Sequence, residues 1–555
     1  GETDAGSAGR AAGSGGRSAG AAKGPGRKSK GSGAKGTAAS GKTGTASPAR
    51  AGKGGARAGT RQGAADPSGG RWAIAAIALI LAVLGVRLGV NAAALVPPHF
   101  DEAQYWAYGQ ELAWGYFSKP PGVGAVIRVA TDTLGDTLFA LRLPSPVAHA
   151  GIALFIFLTA RRLFDARTGF WAAAGYTLAP GVTVSAMIVS TDPPMMLAWA
   201  VALYAMVRAG ELEPRAARPW WALMGAAIGL GFLAKYTVLA MAAGAVGYGL
   251  FSARGRDLGG AAIAAGAALL VAAPNLLWNA ANGFATAVHV AEDASPSGTG
   301  WLNPGNLAEF AGAQLGVIGP VFFLVLLAAL WRRDWRAEPG GRLVAWMTYP
   351  LLLGILGLAL ASRAQPNWAA PAYVGGAILA AHWLLARDWR RLLAWGQAGL
   401  GVVAAAAVYG LAWLYAAQPL DLPRWGDPFK KMRLAQPFCE RALGVMDEEG
   451  AEVLLSDSRR RLSECMFLGT LGWDRVAVWN PDRLPDNHHE LVATLQPGDQ
   501  RPMLLAVLGR GEEIARRFEE AREIETDRFA THADREFTYS LWMVQGFEGY
   551  GRRYD

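Results

Sequence analysis

The 555-residue chain divides its charge unevenly: residues 1–70 carry 12 Lys/Arg against 3 Asp/Glu, residues 71–415 carry 22 against 16, and residues 416–555 carry 19 against 25. So few charges over the 345-residue middle block exclude a single soluble globular domain. Two cysteines, Cys439 and Cys465, exclude a disulfide-rich scaffold and a cysteine-cluster metal site.

Residues 1–70 are a Gly/Ala/Ser/Lys tail without the aromatic and branched residues that offset chain entropy, so disorder is expected. The tail is too long before the first apolar run to resemble a cleaved signal peptide. Its cations are expected to form a solvated tail that fixes orientation, with contact to anionic lipid head groups as the alternative. The basic excess sits here and in short loops, so nucleic acid is not an expected partner.

Eleven apolar segments follow, near 72–92, 139–160, 168–187, 193–208, 219–233, 236–252, 258–278, 307–331, 342–361, 367–386 and 392–415. They predict a polytopic α-helical membrane domain over 71–415 with about 11 transmembrane helices. Placing the tail in the cytoplasm puts 27 Lys/Arg on that side and 5 on the other. That asymmetry predicts a cytoplasmic N-terminus in a bacterial inner membrane. An odd number of spans then places residues 416–555 in the periplasm, as a small soluble α/β domain. There AEVLLSDS and RPMLLAVLG read as strands and GEEIARRFEEAREI as an amphipathic helix. In that compartment Cys439 and Cys465 can form a disulfide, and free buried thiols fit the sequence equally well.

The unusual residues gather in the outer loops. The first, about 93–138, contains HFDEAQYWAYGQELAWGYFSKPPG, whose aromatics suit helices in the head-group layer. The second is Ser190-Thr191-Asp192 before two prolines. The third is the turn at Lys235. The fourth, about 279–305, carries His289, Glu292 and Asp293, and the fifth is SRAQPN.

The periplasmic face has no ATP or nucleotide sugar, so a transferase there needs a donor carried in the membrane. A polyprenyl-phosphate sugar is such a donor. Its use requires a carboxylate at the acceptor hydroxyl, cations on the departing phosphate and an aromatic slot. On a helix Asp101, Tyr105 and Tyr108 share a face while Glu102 points about 100° away, so one carboxylate can face the reaction and the other brace it. Helix capping explains the same pair, and N-terminal helix chemistry explains Asp192 beside Pro193. Lys119, Lys235 and Arg363 are the candidates for the donor phosphate. Tyr105, Tyr108, Tyr116, Gln365 and Asn367 are the candidates for the substrate pocket. A divalent metal is a further option, with Asp101 and His289 as weak ligand candidates and His99 beside them.

HFDEAQYWAYGQELAWGYFSKPPG, VSTDPPMMLAWAVALY, FLAKYT, PNLLWNAANGF and QPNWAAPAY occur in this order on the outer side. In this the chain resembles the family 39-type glycosyltransferases of the GT-C fold, relatives of protein O-mannosyltransferases and of the lipid A aminoarabinose transferase. The resemblance covers roughly 72–415, and 416–555 more loosely. It implies an integral-membrane enzyme that moves a sugar, with inversion, from a polyprenyl-phosphate carrier to lipid A or lipopolysaccharide core, another envelope glycan, a glycolipid or a protein. It implies catalytic roles for Asp101, Glu102 and Asp192, and a carrier-phosphate role for Lys119, where many relatives have His. A flippase of lipid-linked sugars is the first alternative, although no internal repeat is visible and the polar residues collect at the outer edge. A non-catalytic envelope-assembly protein is the second.

Overall fold

The structure, a computed structural model, describes residues 67–251, 257–284, 286, 302–417 and 423–551. Over the described residues the eleven expected apolar segments fall on helices and short helical turns. The membrane part runs α1 (Pro67–Ala92), α2 (Phe100–Gln110), α3 (Gly122–Leu134), α4 (Leu138–Arg142), α5 (Pro144–Leu163), α6 (Ala166–Thr177), α7 (Pro180–Ser185), α8 (Asp192–Glu211), α9 (Pro214–Ala234), α10 (Leu239–Phe251) and α11 (Leu258–Ala281). It continues with α12 (Pro304–Val317), α13 (Pro320–Arg332), α14 (Pro339–Ala361), α15 (Ala372–Leu385) and α16 (Asp388–Ala417). Among the described residues, five stretches are long and apolar enough to cross a membrane: 69–92, 138–163, 258–281, 339–361 and 388–417.

Small residues let these helices approach closely. Gly225 of α9 lies where a Cβ would meet the Ala264 carbonyl of α11, and α9 also packs along α8. The bundle core is built on Tyr176, Trp199, Phe322 and Tyr373, all fully buried.

Two expected segments are each broken in two. The 168–187 run stops at Leu178-Ala179, before Pro180, and the 307–331 run stops at Ile318-Gly319, before Pro320. Proline removes an amide donor and ends the preceding helix. Gly319 takes a φ of 93°, which glycine alone adopts freely. The two breaks meet: a Cβ on Gly181 would fall 2.7 Å from the Val317 carbonyl oxygen.

The C-terminal part contains α17 (Ala435–Glu448), β1 (Val453–Ser456), α18 (Arg459–Gly469), β2 (Val476–Val478), α19 (His488–Ala493), β3 (Met503–Val507), α20 (Gly511–Ala515), β4 (Phe518–His532) and β5 (Arg535–Phe547). The sheet order is β2-β1-β3-β5-β4, parallel across β2, β1 and β3 and antiparallel beyond. The two expected strands are β1 and β3. The expected amphipathic helix over GEEIARRFEEAREI is corrected: Gly511–Ala515 is a short helix, and from Phe518 the chain is an edge strand paired with β5. Its charged residues stand on an exposed edge, where solvated side chains satisfy a strand as readily as a helix. Cys439 of α17 and Cys465 of α18 form a disulfide.

The sheet part docks directly on α2. Trp106 meets Phe467 of α18 edge-on at 5.5 Å, and Trp473 Nε1 donates to the Ala107 carbonyl at 3.0 Å. His488 stands edge-on to both Tyr108 and Tyr116, at 5.0 Å from each. One hydrophobic core therefore runs from α2 and α3 into α17 and α18.

Candidate active site

A cavity of about 1080 Å³ opens between α2, the two helix breaks and the outer loops. Asp101, Tyr105, Lys119, Asp192, Lys235, Arg363, Gln365 and Asn367 all line it. Eight of the expected residues, drawn from five separate chain segments, thus share one space.

Asp101 and Glu102 have opposite fates. The Asp101 side chain is 45% exposed at the cavity, with its Oδ2 3.4 Å from His99 Nδ1. Glu102 is 1% exposed and absent from the lining. Arg142 donates to it twice, Nε to Oε1 at 3.0 Å and Nη2 to Oε2 at 2.8 Å. The amides of His99 and Val189 also donate to it, each at 2.9 Å. Arg142 donates as well to the carbonyls of Val96 and Pro97. Glu102 thereby ties the start of α2 to the end of α4 and to the segment three residues before Asp192. A buried carboxylate with this many donors is a fixed strut. Of the expected acidic pair, one carboxylate thus stands at the cavity and the other is held behind it.

Asp192 is the first residue of α8, and its carboxylate is not spent on capping that helix. Oδ1 accepts from Lys235 Nζ at 2.7 Å and Oδ2 from Asn367 Nδ2 at 2.7 Å. Lys235 sits at the gap between α9 and the next helical turn, with extended backbone that turns its side chain inward. Asn367 comes from the short turn Pro366–Ala369. The fully loaded carboxylate holds one cation and one amide at fixed places on the cavity wall. Arg363 sits at the rim, 77% exposed and 4.0 Å from Glu309.

Tyr105 faces the cavity, and burial pushes its phenol well up, with the nearby Asp101 charge adding to the effect. It therefore stays a hydrogen-bond donor. Tyr108 and Tyr116, expected in the substrate pocket, are not among the residues that line this cavity. They stack on each other at 4.3 Å, under His488. Tyr116 donates to the Tyr108 carbonyl, and Gln104 donates to the Tyr108 hydroxyl. Their work is to support α2.

Sequence reasoning counted Arg142 among the five outer cations but gave it no role at the site; its lone charge in an apolar run was the available signal. It also missed His149, Tyr176 and Ser185, which line the inner part of the cavity. Among the described residues no group of three or more His, Cys, Asp or Glu side chains gathers as a metal cluster. His289, with Glu292 and Asp293, lies outside the described residues.

A family model described as dolichyl-phosphate-mannose-protein mannosyltransferase matches residues 118–278. Lipid A galacturonosyltransferase RgtD from Rhizobium johnstonii is 33% identical over 394 residues, covering 70% of this chain and 81% of that protein. The chain belongs to this GT-C glycosyltransferase family. It is a multi-pass membrane glycosyltransferase. An undecaprenyl phosphate-aminoarabinose arabinosyl transferase from Pseudomonas aeruginosa is 30% identical over 302 residues, about half of each chain. ArnT from Cupriavidus metallidurans bound to undecaprenyl phosphate shares the fold, with a TM-score of 0.59 at 16% identity over 85% of this chain and 98% of that one. Its apo structure gives 0.58.

Proposed function

We propose that this glycosyltransferase moves a sugar from a polyprenyl-phosphate carrier to a hydroxyl of a lipid A-type glycolipid on the periplasmic side of the inner membrane. The observation that carries the reading is the division of labour among the three carboxylates. Asp101 alone stands half-exposed in the cavity that also holds Lys119, Lys235 and Arg363, while Glu102 and Asp192 are each bound on both oxygens.

In the reaction the acceptor oxygen bonds to the anomeric carbon as the bond from that carbon to the phosphate oxygen breaks. Asp101 takes the acceptor proton. Lys235, with Lys119 and Arg363, neutralises the phosphate as it leaves. Asp192 and Asn367 keep Lys235 aimed, and Glu102 keeps both loops in register. Attack from the Asp101 side, opposite the phosphate, inverts the anomeric centre. The relatives' names include a galacturonosyl and an arabinosyl transferase, so a hexuronosyl and a pentosyl donor both fit this outline.

We place the N-terminus in the cytoplasm, with the cavity and residues 416–555 in the periplasm. The excess of Lys/Arg on one side supports this. The Cys439–Cys465 disulfide supports it too, since such bonds persist in oxidising compartments.

The test is transfer of radiolabelled sugar from polyprenyl-phosphate donors to lipid A extract in nanodiscs, with and without chelator. Asp101→Asn should lower the rate on the order of 10²–10⁴-fold. A variant that turns over at the parent rate ends the assignment.

A further inference from the structure

The inner part of the cavity carries a polar chain that the transfer chemistry does not use. His149 of α5 is 2% exposed. Its Nδ1 is 2.9 Å from the Tyr176 hydroxyl, and its Nε2 is 3.0 Å from Ser185 Oγ. The three residues come from α5, α6 and α7, and all line the cavity. Polar side chains are costly within a membrane bundle and mark working positions there.

The network assigns its own direction. Among the described residues, the fully buried Tyr176 hydroxyl meets only Nδ1 of His149, so its hydrogen must go there. Nδ1 then accepts and Nε2–H donates to Ser185 Oγ. The Ser185 hydrogen is left to point elsewhere, and Ser185 is the partly exposed member of the three. The chain ends in a single O–H donor presented to the cavity. Behind it lies Arg87 of α1, 3% exposed, donating to the Thr177 carbonyl at 2.7 Å and neighbouring Tyr176 and Tyr409. Among the described residues Arg87 forms no ion pair with a carboxylate; Tyr409 is hydrogen-bonded to it, and its Nε has no hydrogen-bond partner. A buried cation held by dipoles and without a carboxylate partner projects its field into the adjoining space.

We propose that Ser185, oriented by His149 and Tyr176, contacts the sugar of the donor, and that Arg87 biases this end of the cavity toward a sugar bearing a carboxylate over one bearing an ammonium. The inference rests on the donor reading of the cavity. The carrier phosphate has its own cations at the outer end, Lys119, Lys235 and Arg363, so the inner donor is available for the ring. Ser185 and Arg87 act on which sugar is accepted, and neither takes part in the proton transfer assigned to Asp101.

The experiment compares polyprenyl-phosphate-linked galacturonic acid with the 4-amino-4-deoxyarabinose donor, measuring kcat and KM for each. Parent enzyme should prefer the uronic donor by more than tenfold in kcat/KM. Ser185→Ala should lower kcat/KM for the uronic donor by about tenfold or more, mostly through KM, because a hydrogen bond to a charged group is lost. Ser185→Thr should restore it, and binding of bare undecaprenyl phosphate should not change. Arg87→Gln should narrow the preference, and Arg87→Lys, which keeps the charge, should retain it.

Equal use of both donors by the parent overturns the carboxylate preference. Parent-like kinetics in Ser185→Ala overturn the subsite, as does an equal loss of bare-carrier binding, which marks a structural role. Parent enzyme and Asp101→Asn separate the two levels: no transfer from either donor by the parent overturns the donor reading itself, and parent-rate transfer by Asp101→Asn ends only the Asp101 assignment. Inactivity there, together with an unaffected Ser185→Ala, removes only the subsite.

Discussion

Lys235 Nζ stands 2.7 Å from Asp192 Oδ1 across 43 residues of sequence, on the wall of the cavity that Asp101 also faces. In the proposed reaction the ion pair fixes a cation where the leaving phosphate would need one. Lys235→Met should therefore lower kcat on the order of 10²–10³-fold, the usual cost of removing one preorganised electrostatic group. Asp192→Asn should lower it as well, by loosening Lys235. Because the two act as a unit, the double variant should lose less than the product of the singles. A double-mutant cycle on kcat/KM, with a coupling energy of about 0.5–3 kcal/mol, checks this.

Glu102 and Asp101 are neighbours with different jobs, and stability separates them. Glu102→Ala leaves Arg142 buried without its partner and should destabilise the fold by about 3–5 kcal/mol. Asp101→Asn removes a half-exposed charge and should change the melting temperature little while lowering transfer on the order of 10²–10⁴-fold. Thermal unfolding in detergent beside the transfer assay reads both. An Asp101→Asn protein that melts as early as Glu102→Ala would contradict the division.

The disulfide joins α17 to α18, and α18 lies against α2. It closes a loop between positions 26 residues apart, for which about 3 kcal/mol of stabilisation is expected. Cys439→Ser/Cys465→Ser should lower the melting temperature and, because α18 carries the Phe467 contact to Trp106, should also lower activity. Hydrogen exchange over α2 measures the loosening directly.

Acid should undock the sheet part from α2. Burial pulls His488 down to about 4 and His489 to about 3, from an ordinary 6.5, with the neighbouring Arg459 charge adding to the effect on His489. Both are neutral when docked, so the unfolded or undocked form binds more protons below pH 6.5, and stability falls as pH falls. Each histidine contributes about 1.4 kcal/mol per pH unit. Glu464 works the other way. Burial pushes it up to about 7, so between pH 7 and 4.5 it takes up a proton when docked and offsets one histidine. The net loss between pH 6.5 and 4.5 is then that of one histidine. Glu464→Gln should steepen the acid loss, and His488→Gln should flatten it. Melting temperature against pH for the three proteins tests the sign.

Much of this was legible in the sequence. Membrane helices announce themselves locally through apolar runs, and the site's charged residues stood out because charge is scarce there. What was not legible depended on distant chain. Tyr108 and Tyr116 look like pocket residues in a helix read alone, but they are covered by His488, more than 370 residues later. The charges after Phe518 fit a helical face until β5 is known to lie beside them. Pro180 and Pro320 were visible, yet each sat in an apolar run long enough to read as one span, so the breaks that shape the cavity were missed. His149 was hidden because nothing local tells a cavity-lining histidine from a packed one.

The cavity wall joins Asp101, Asp192, Lys235 and Asn367, and these follow the order of synthesis. Until residue 367 has been threaded into the bilayer, Asp192 lacks its second partner. Until the last strand pairs, the sheet part is incomplete beside α2. A chain stopped short of either segment therefore carries Asp101 with no finished cavity around it. The cavity wall is assembled from segments far apart in the chain, and it is complete only when Asn367 has reached Asp192 and β5 has closed the sheet beside α2.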